Sequence, residues 1–166
     1  ALWHPSLSPG PTKPALVLLC CIGTWLAICS PSFGVPTAKI GPILVHLKLD
    51  SEELYDNYSK CQAAGMQTNG SLQLPCFTLG CEASANISAI QAYLEEAERL
   101  NENTISTAHV RKRLDDIRCS NIGCPNPPKP SISGPKDPYK VKSFTLTVFK
   151  RLSDCMAEVK AKDRIC

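Results

Sequence analysis

Ten of the 166 residues are cysteines, and a thiol can act as a nucleophile, ligate a metal or close a disulfide. Cys76 and Cys81, and again Cys119 and Cys124, share a Cys-x4-Cys spacing. Four such thiolates could in principle hold zinc, but the spacing is loose and no histidine lies nearby. Together with fourteen prolines, the cysteines argue for an oxidising compartment, where they pair with one another. Elsewhere the acid–base residues form no constellation. His46 and His109 fall on separate predicted helices, and Glu95-Glu96 and Asp115-Asp116 read as acids on helix surfaces. No Gly-x-Ser-x-Gly elbow, phosphate loop, His-Glu-x-x-His or Cys-x-x-Cys is present. We therefore expect no enzyme, no cofactor and no metal centre, and look for a binding protein.

The composition agrees with one folded domain. The chain is 43% apolar and 20% charged, with a net charge of +3 and no block of like charge to suggest a nucleic-acid arm. Residues 15–28 are fourteen positions without a charge, preceded by Lys13. A spanning helix needs about 20 apolar residues, so this run fits the hydrophobic region of a secretory signal better than an anchor. Residues 1–29 are read as that signal, cut after Cys29, with Ser32 and Gly34 allowing a later cut inside a window of 27–34. Residues 30–166 then form the mature domain, expected to be secreted and extracellular. It keeps Cys61, Cys76, Cys81, Cys119, Cys124, Cys155 and Cys166, an odd number that leaves one thiol over.

Four segments carry helical periodicity. The first spans about 42–60, with Ile40, Ile43, Leu47, Leu54 and Tyr58 on one stripe and Pro42 in the first turn. The second spans about 88–100, its start set by a capping box of Ser88 and Gln91. Ile90, Tyr93, Leu94, Ala97 and Leu100 face inward there. The third begins at 104 or 106 and ends near 118, with Val110, Leu114 and Ile117 inward. The fourth spans about 139–162 with Val141, Phe144, Val148, Leu152, Cys155 and Val159 in line. Residues 144–149 alone could be a strand, since Thr and Val favour one, but the longer stripe outvotes it.

The connections are long, short, long: residues 61–87, then 101–103, then 119–138 with six prolines. Short connections join antiparallel neighbours, whereas long ones let successive helices point the same way. The pattern predicts an all-α, up-up-down-down four-helix bundle with two long crossovers. In that topology Cys76, Cys81, Cys119, Cys124 and Cys155 gather at one pole, and Cys61 lies at the other. Cys76 with Cys155 is the expected bridge, closing about 80 residues for about 4 kcal/mol. Cys81 with either Cys119 or Cys124 is a further candidate.

Three sequons, at Asn57, Asn69 and Asn86, are glycosylation candidates behind a signal peptide. Opposite its core stripe, the first helix carries Val45, Leu49, Glu52, Glu53 and Asp56. Two aliphatics bordered by acids suggest a contact patch. On the third helix, His109, Lys112, Asp115 and Asp116 are outward, and the topology makes the two faces neighbours. Tyr139, Lys140 and Lys142 at the start of the fourth helix form a second candidate contact.

Several stretches resemble a known family. Leu74-Pro75-Cys76-Phe77, the Ile-Gln-Ala-Tyr-Leu run at 90–94, and the Lys-Ser-Phe-Thr-Leu-Thr-Val run at 142–148 are similar to the interleukin-31 family, its rodent members in particular. So are Leu-Ser-Asp-Cys-Met at 152–156, Thr-Lys-Pro at 12–14 and Tyr-Asp-Asn-Tyr-Ser at 55–59. The resemblance covers about residues 12–166. It implies a secreted helical cytokine of the interleukin-6 type, made mainly by activated T helper cells and acting as a monomer. Its implied partners are the interleukin-31 receptor subunit and the oncostatin M receptor subunit. Signalling through Janus kinases and STAT factors, with itch and skin inflammation as outcome, is also implied. By the same analogy, the first and third helix faces meet the interleukin-31 receptor subunit, and the Lys142 region meets the second chain. The chain departs from the family in two ways. Val141 stands where the family has a cysteine before the lysine that opens the fourth helix, and Cys61, Cys81 and Cys124 are additional. A disulfide-rich secreted carrier or structural helical protein with an apolar cavity is the alternative reading.

Overall fold

The computed structural model describes residues 40–78, 82–117 and 127–160. Four helices order them: α1 (Ile40–Cys61), α2 (Glu82–Leu100), α3 (Ala108–Ile117) and α4 (Pro138–Glu158), with no strand among the described residues. Each of α1 and α2 packs against both α3 and α4, so α1 and α2 occupy one diagonal of the bundle. Side-chain contacts give the directions. Tyr58, near the end of α1, donates to Asn101 just past the end of α2, and Asn101 donates to Thr145 in the early part of α4. The start of α3 joins the same pole through Thr107, which donates to Glu98 late in α2. Thus α1 and α2 run parallel, and α3 and α4 run against them, which is the arrangement the loop lengths predict.

Both crossovers lie along helices. Gln67 accepts from the Ser143 hydroxyl, the Asn69 N–H donates to Thr147, and Cys76 bonds to Cys155 with Cα atoms 5.5 Å apart. The first crossover therefore travels the length of α4 and delivers the chain to the far pole. The predicted bridge is formed. The second crossover lies over α2, where the Gly134 N–H donates to Glu96 at 2.7 Å and Lys129 pairs with Glu95. Asp137 then caps α4, accepting from the Lys140 N–H, and Pro138 occupies its first turn.

Most of the expected inward stripes are buried, while Ile43, Leu54, Tyr93, Leu100, Val141 and Val159 are half-buried at their margins. Leu47, Ile87, Ile90, Leu94, Leu114, Val148, Phe149 and Leu152 are fully enclosed, and Phe149 meets Tyr58 edge to face with ring centroids 5.4 Å apart. On α4, Phe144 through Phe149 are all buried, and the segment is helix rather than strand. A lone amphipathic helix would leave one side of that run wet; here the first crossover covers it.

Three expected boundaries shift, one of them the end of α4, which stops at Glu158 rather than near 162 because the backbone turns extended at Val159. Helix α2 starts at Glu82, not Ser88, because Ala83 and Ile87 extend its apolar stripe one and two turns backwards. Ser88 is therefore buried within the helix, and the Gln91 amide donates to Asp115 at 2.8 Å and to the Arg111 carbonyl. The connection from α2 to α3 is residues 101–107, and α3 starts at Ala108. Glu102 and Asn103 turn that corner in the left-handed region with φ of 52° and 57°. Burial pushes the Glu98 carboxyl up, but bonds from the Thr107 hydroxyl and N–H and from Arg111 outweigh it and hold it below its ordinary range.

Candidate functional site: two exposed surfaces

Among the described residues, three large hydrophobic side chains are exposed: Val45 at 49%, Leu49 at 55% and Tyr139 at 65%. All three fall within the faces singled out from the sequence. Val45, Leu49, Glu52 and Asp56 recur at spacings of four, three and four, so they share the solvent side of α1. Their helix is held by Leu44, Leu47, Ser51 and Tyr58 on its buried side. Lys48 reaches toward Glu52 at 3.9 Å, and Lys60 pairs with Asp56 at 3.1 Å. These exposed ion pairs are worth little energetically, and leave the aliphatic pair bordered by charge.

Glu53 and Asn57 turn toward α3. With Leu54, Ile105, His109 and Cys61 they line an open groove of about 400 Å³ between the two helices. Beside that groove Asp50 pairs with Arg113, which ties α1 to α3 and fixes the relation of their outer faces. Sequence reasoning missed that pair. The residues lie 63 positions apart, and only the topology marks them as partners. Lys112 and Asp116 are exposed and lie three and seven residues past His109 on the same flank. Asp115 is also exposed, but it accepts from Gln91 of α2, so it stands on the α2 side of α3, away from the α1 groove.

The second surface sits at the pole where α4 begins. Tyr139, Lys140 and Lys142 are exposed, while Val141 between them is half-buried. The first crossover abuts this turn through the Ser143–Gln67 bond. Val45 precedes the end of α1 at this pole by sixteen residues, which at 1.5 Å per residue is about 24 Å along the bundle. The two apolar spots are therefore separate.

His46 and His109 are exposed on different helices, and among the described residues no group of three His, Cys, Asp or Glu side chains could hold a metal ion. Cys76 is spent in its disulfide, which removes one member of the hypothetical thiolate set. Cys61 is a free, exposed thiol at the opposite pole from that bridge, as the topology predicts. Cys81, Cys119, Cys124 and the leader at 1–29 lie outside the described residues.

Comparison with known proteins decides the kinship. The family profile described as Interleukin 31 matches residues 32–162. The chain belongs to the interleukin-31 family. Interleukin-31 of Mus musculus is 51% identical over 159 residues, covering 93% of this chain and 94% of that protein. Interleukin-31 of Homo sapiens is 28% identical over 153 residues, covering 89% and 87%. No solved structure matches. A member of an interleukin family is a cytokine, whose partners are cytokine receptors. The four-helix bundle with a Cys76–Cys155 bridge is accordingly read as a cytokine body. No described helix is long and apolar enough to cross a membrane.

Proposed function

We propose that the chain is a secreted cytokine that bridges two receptor chains, the interleukin-31 receptor subunit and the oncostatin M receptor subunit, and so activates Janus kinases and STAT factors in immune and itch responses. The carrying observation is the placement of Val45, Leu49 and Tyr139, the exposed large hydrophobics of the described residues, on two separate faces. Tyr139 is 65% exposed beside Lys140 and Lys142, and interfaces use such aromatic side chains as anchors. The face of α1 and α3, with Glu52, Glu53, Asp56, His109, Lys112 and Asp116, serves the first receptor. Asp115 lies at its far margin. Tyr139, Lys140 and Lys142 serve the second. Residues 1–29 act as the export signal, and the released domain works as a monomer.

The carrier alternative is disfavoured by the core. Leu47, Leu94, Leu114, Val148, Phe149 and Leu152 fill the bundle axis without exposure, and the groove at Glu53 and His109 lies on the surface between helices. The deciding experiment is surface binding to the two purified receptor ectodomains, singly and together. Substituting Glu52, Glu53 and Lys112 should weaken the first chain only. Reversing the charge of Lys140 and Lys142 should spare that binding and abolish signalling. Equal binding of every variant to both chains rejects the proposal.

A further inference from the structure

The three sequons share the Asn-x-Ser pattern, with Asn69 the best placed in sequence, in a polar loop beside Gly70, and their amide groups stand in different surroundings. Attachment of a glycan forms a bond from the asparagine Nδ2 to the C1 carbon of a lipid-linked oligosaccharide. It breaks that carbon's bond to pyrophosphate, which leaves with the electron pair, and releases one amide hydrogen as a proton. A modified asparagine thus keeps a single N–H and carries a bulky ring in place of the other hydrogen.

At Asn86 both hydrogens are in use. Its Nδ2 donates to the Cys76 carbonyl at 3.0 Å and to the Thr78 hydroxyl at 2.9 Å, and the residue is half-buried. The two acceptors flank the bridge that joins Cys76 to Cys155. A sugar on this nitrogen would displace one acceptor and press into the end of the first crossover, where Cys76 must meet α4. Asn69 is the reverse. It is exposed, its Oδ1 accepts from the Ser71 N–H at 3.0 Å and the Ser71 hydroxyl at 2.7 Å, and its Nδ2 makes no hydrogen bond among the described residues. The folded loop there presents the amide nitrogen to solvent and engages only the carbonyl side.

We propose that Asn69 is a glycan carrier, and that Asn86 is a clamp on the end of the first crossover at Cys76, its modification incompatible with closing the Cys76–Cys155 bridge. The inference rests on the secretory reading above. Because the transfer acts on accessible chain, before the bundle closes, occupancy at Asn86 competes with native pairing. The secreted, correctly paired population is then the part that escaped modification there.

The test is secretion of the chain from cultured mammalian cells behind a supplied leader. Enzymatic deglycosylation in heavy-oxygen water marks each formerly modified asparagine, and peptides are mapped without reduction. Asn69 should be marked, and Asn86 should be unmarked in every molecule that yields the Cys76–Cys155 peptide pair. Asn86→Asp, which cannot donate, should lower secreted yield several-fold and leave Cys76 open to alkylation. Ser88→Ala, which destroys the sequon but keeps both amide hydrogens, should secrete like the parent. A marked Asn86 in paired molecules, a bare Asn69, or parental secretion of Asn86→Asp with its bridge intact overturns the proposal. Expression with residues 1–29 behind an initiator methionine tests export separately. Its failure would refute residues 1–29 as a sufficient export signal and leave the supplied-leader result standing.

Discussion

Removing the Cys76–Cys155 bridge gives the sharpest quantitative test of the topology. The two residues are 79 positions apart in sequence, so the bond closes a loop that includes the end of the first crossover, α2, α3, the second crossover and most of α4. In the chain-entropy model a loop of that length stabilises the fold by about 4.5 kcal/mol at 25 °C, because the open denatured chain gains freedom that the bonded one lacks. The replacement Cys76→Ser with Cys155→Ala adds little strain of its own, since the first site is half-buried and the second loses a single sulfur from the core. A domain of this size loses about 3–5 °C of Tm for each kcal/mol, so the expected drop is about 15 °C. Urea unfolding followed by circular dichroism should show the midpoint fall. The m value should rise, because the unbridged denatured chain exposes more surface. Both proteins should carry Cys61→Ser, so that the exposed thiol cannot exchange into the bridge. A loss below about 1 kcal/mol with an unchanged m would refute the reasoning, since the denatured state would then not have been restrained by the bond.

Further outcomes follow from other contacts. Glu96 is buried and held below its ordinary carboxylate value first by the hydrogen bond from Arg99, against burial, and then by the Gly134 N–H; Glu98 is lowered too. A depressed folded value means that the unfolded chain takes up the proton first. The stabilisation is complete above the ordinary glutamate value near 4.5 and is lost as pH falls through the lowered folded values. Urea midpoints measured from pH 6 to pH 3 should decline, and Glu96→Gln with Glu98→Gln should flatten that decline. A Cβ on Gly134 would run into the Leu100 Cδ1 and sit 3.2 Å from the Glu96 Oε1. Gly134→Ala should therefore cost about 1–2 kcal/mol by overpacking, and Leu100→Ala in the same chain should relieve part of it in a double-mutant cycle. Leu94→Ala, at a position with no exposure, should cost about 2–5 kcal/mol in the same denaturation assay while leaving the Val45–Leu49 face chemically intact.

The periodic stripes of α1, α3 and α4 were legible because burying one side of a helix demands apolar residues every third or fourth position. Leu47, Val110, Leu114, Val148 and Leu152 occupy the core as that rule requires. The order of long and short connections made the parallel pairing legible in turn, because a chain that must return along a helix needs the residues to do so. From pairing and pole alone, Cys76 and Cys155 could be matched. The start of α2 was misread for a physical reason. Ser88 with Gln91 satisfies the local pattern of a cap, and a local pattern carries no information about the chain that covers it. In the bundle, Ala83 and Ile87 meet the core and pull the helix six residues back.

Sequence by itself settled the helical class, the apolar faces, the family resemblance and the absence of any recognisable catalytic motif, all of which follow from residue type and spacing over short range. Tertiary structure alone decided which polar groups meet. Asp50 with Arg113, Gln91 with Asp115, and Glu96 with Gly134 are each separated by more than twenty positions and were invisible before the helices were laid side by side. It also decided that Thr145 and Thr147 are buried on a helix whose pattern would leave them wet: Asn101 at the end of α2 bonds to Thr145, and the first crossover lies across Thr147. Side chains find distant partners only after the backbone has been paired, so the cost or benefit of each such residue is a property of the fold and not of its neighbours in the chain.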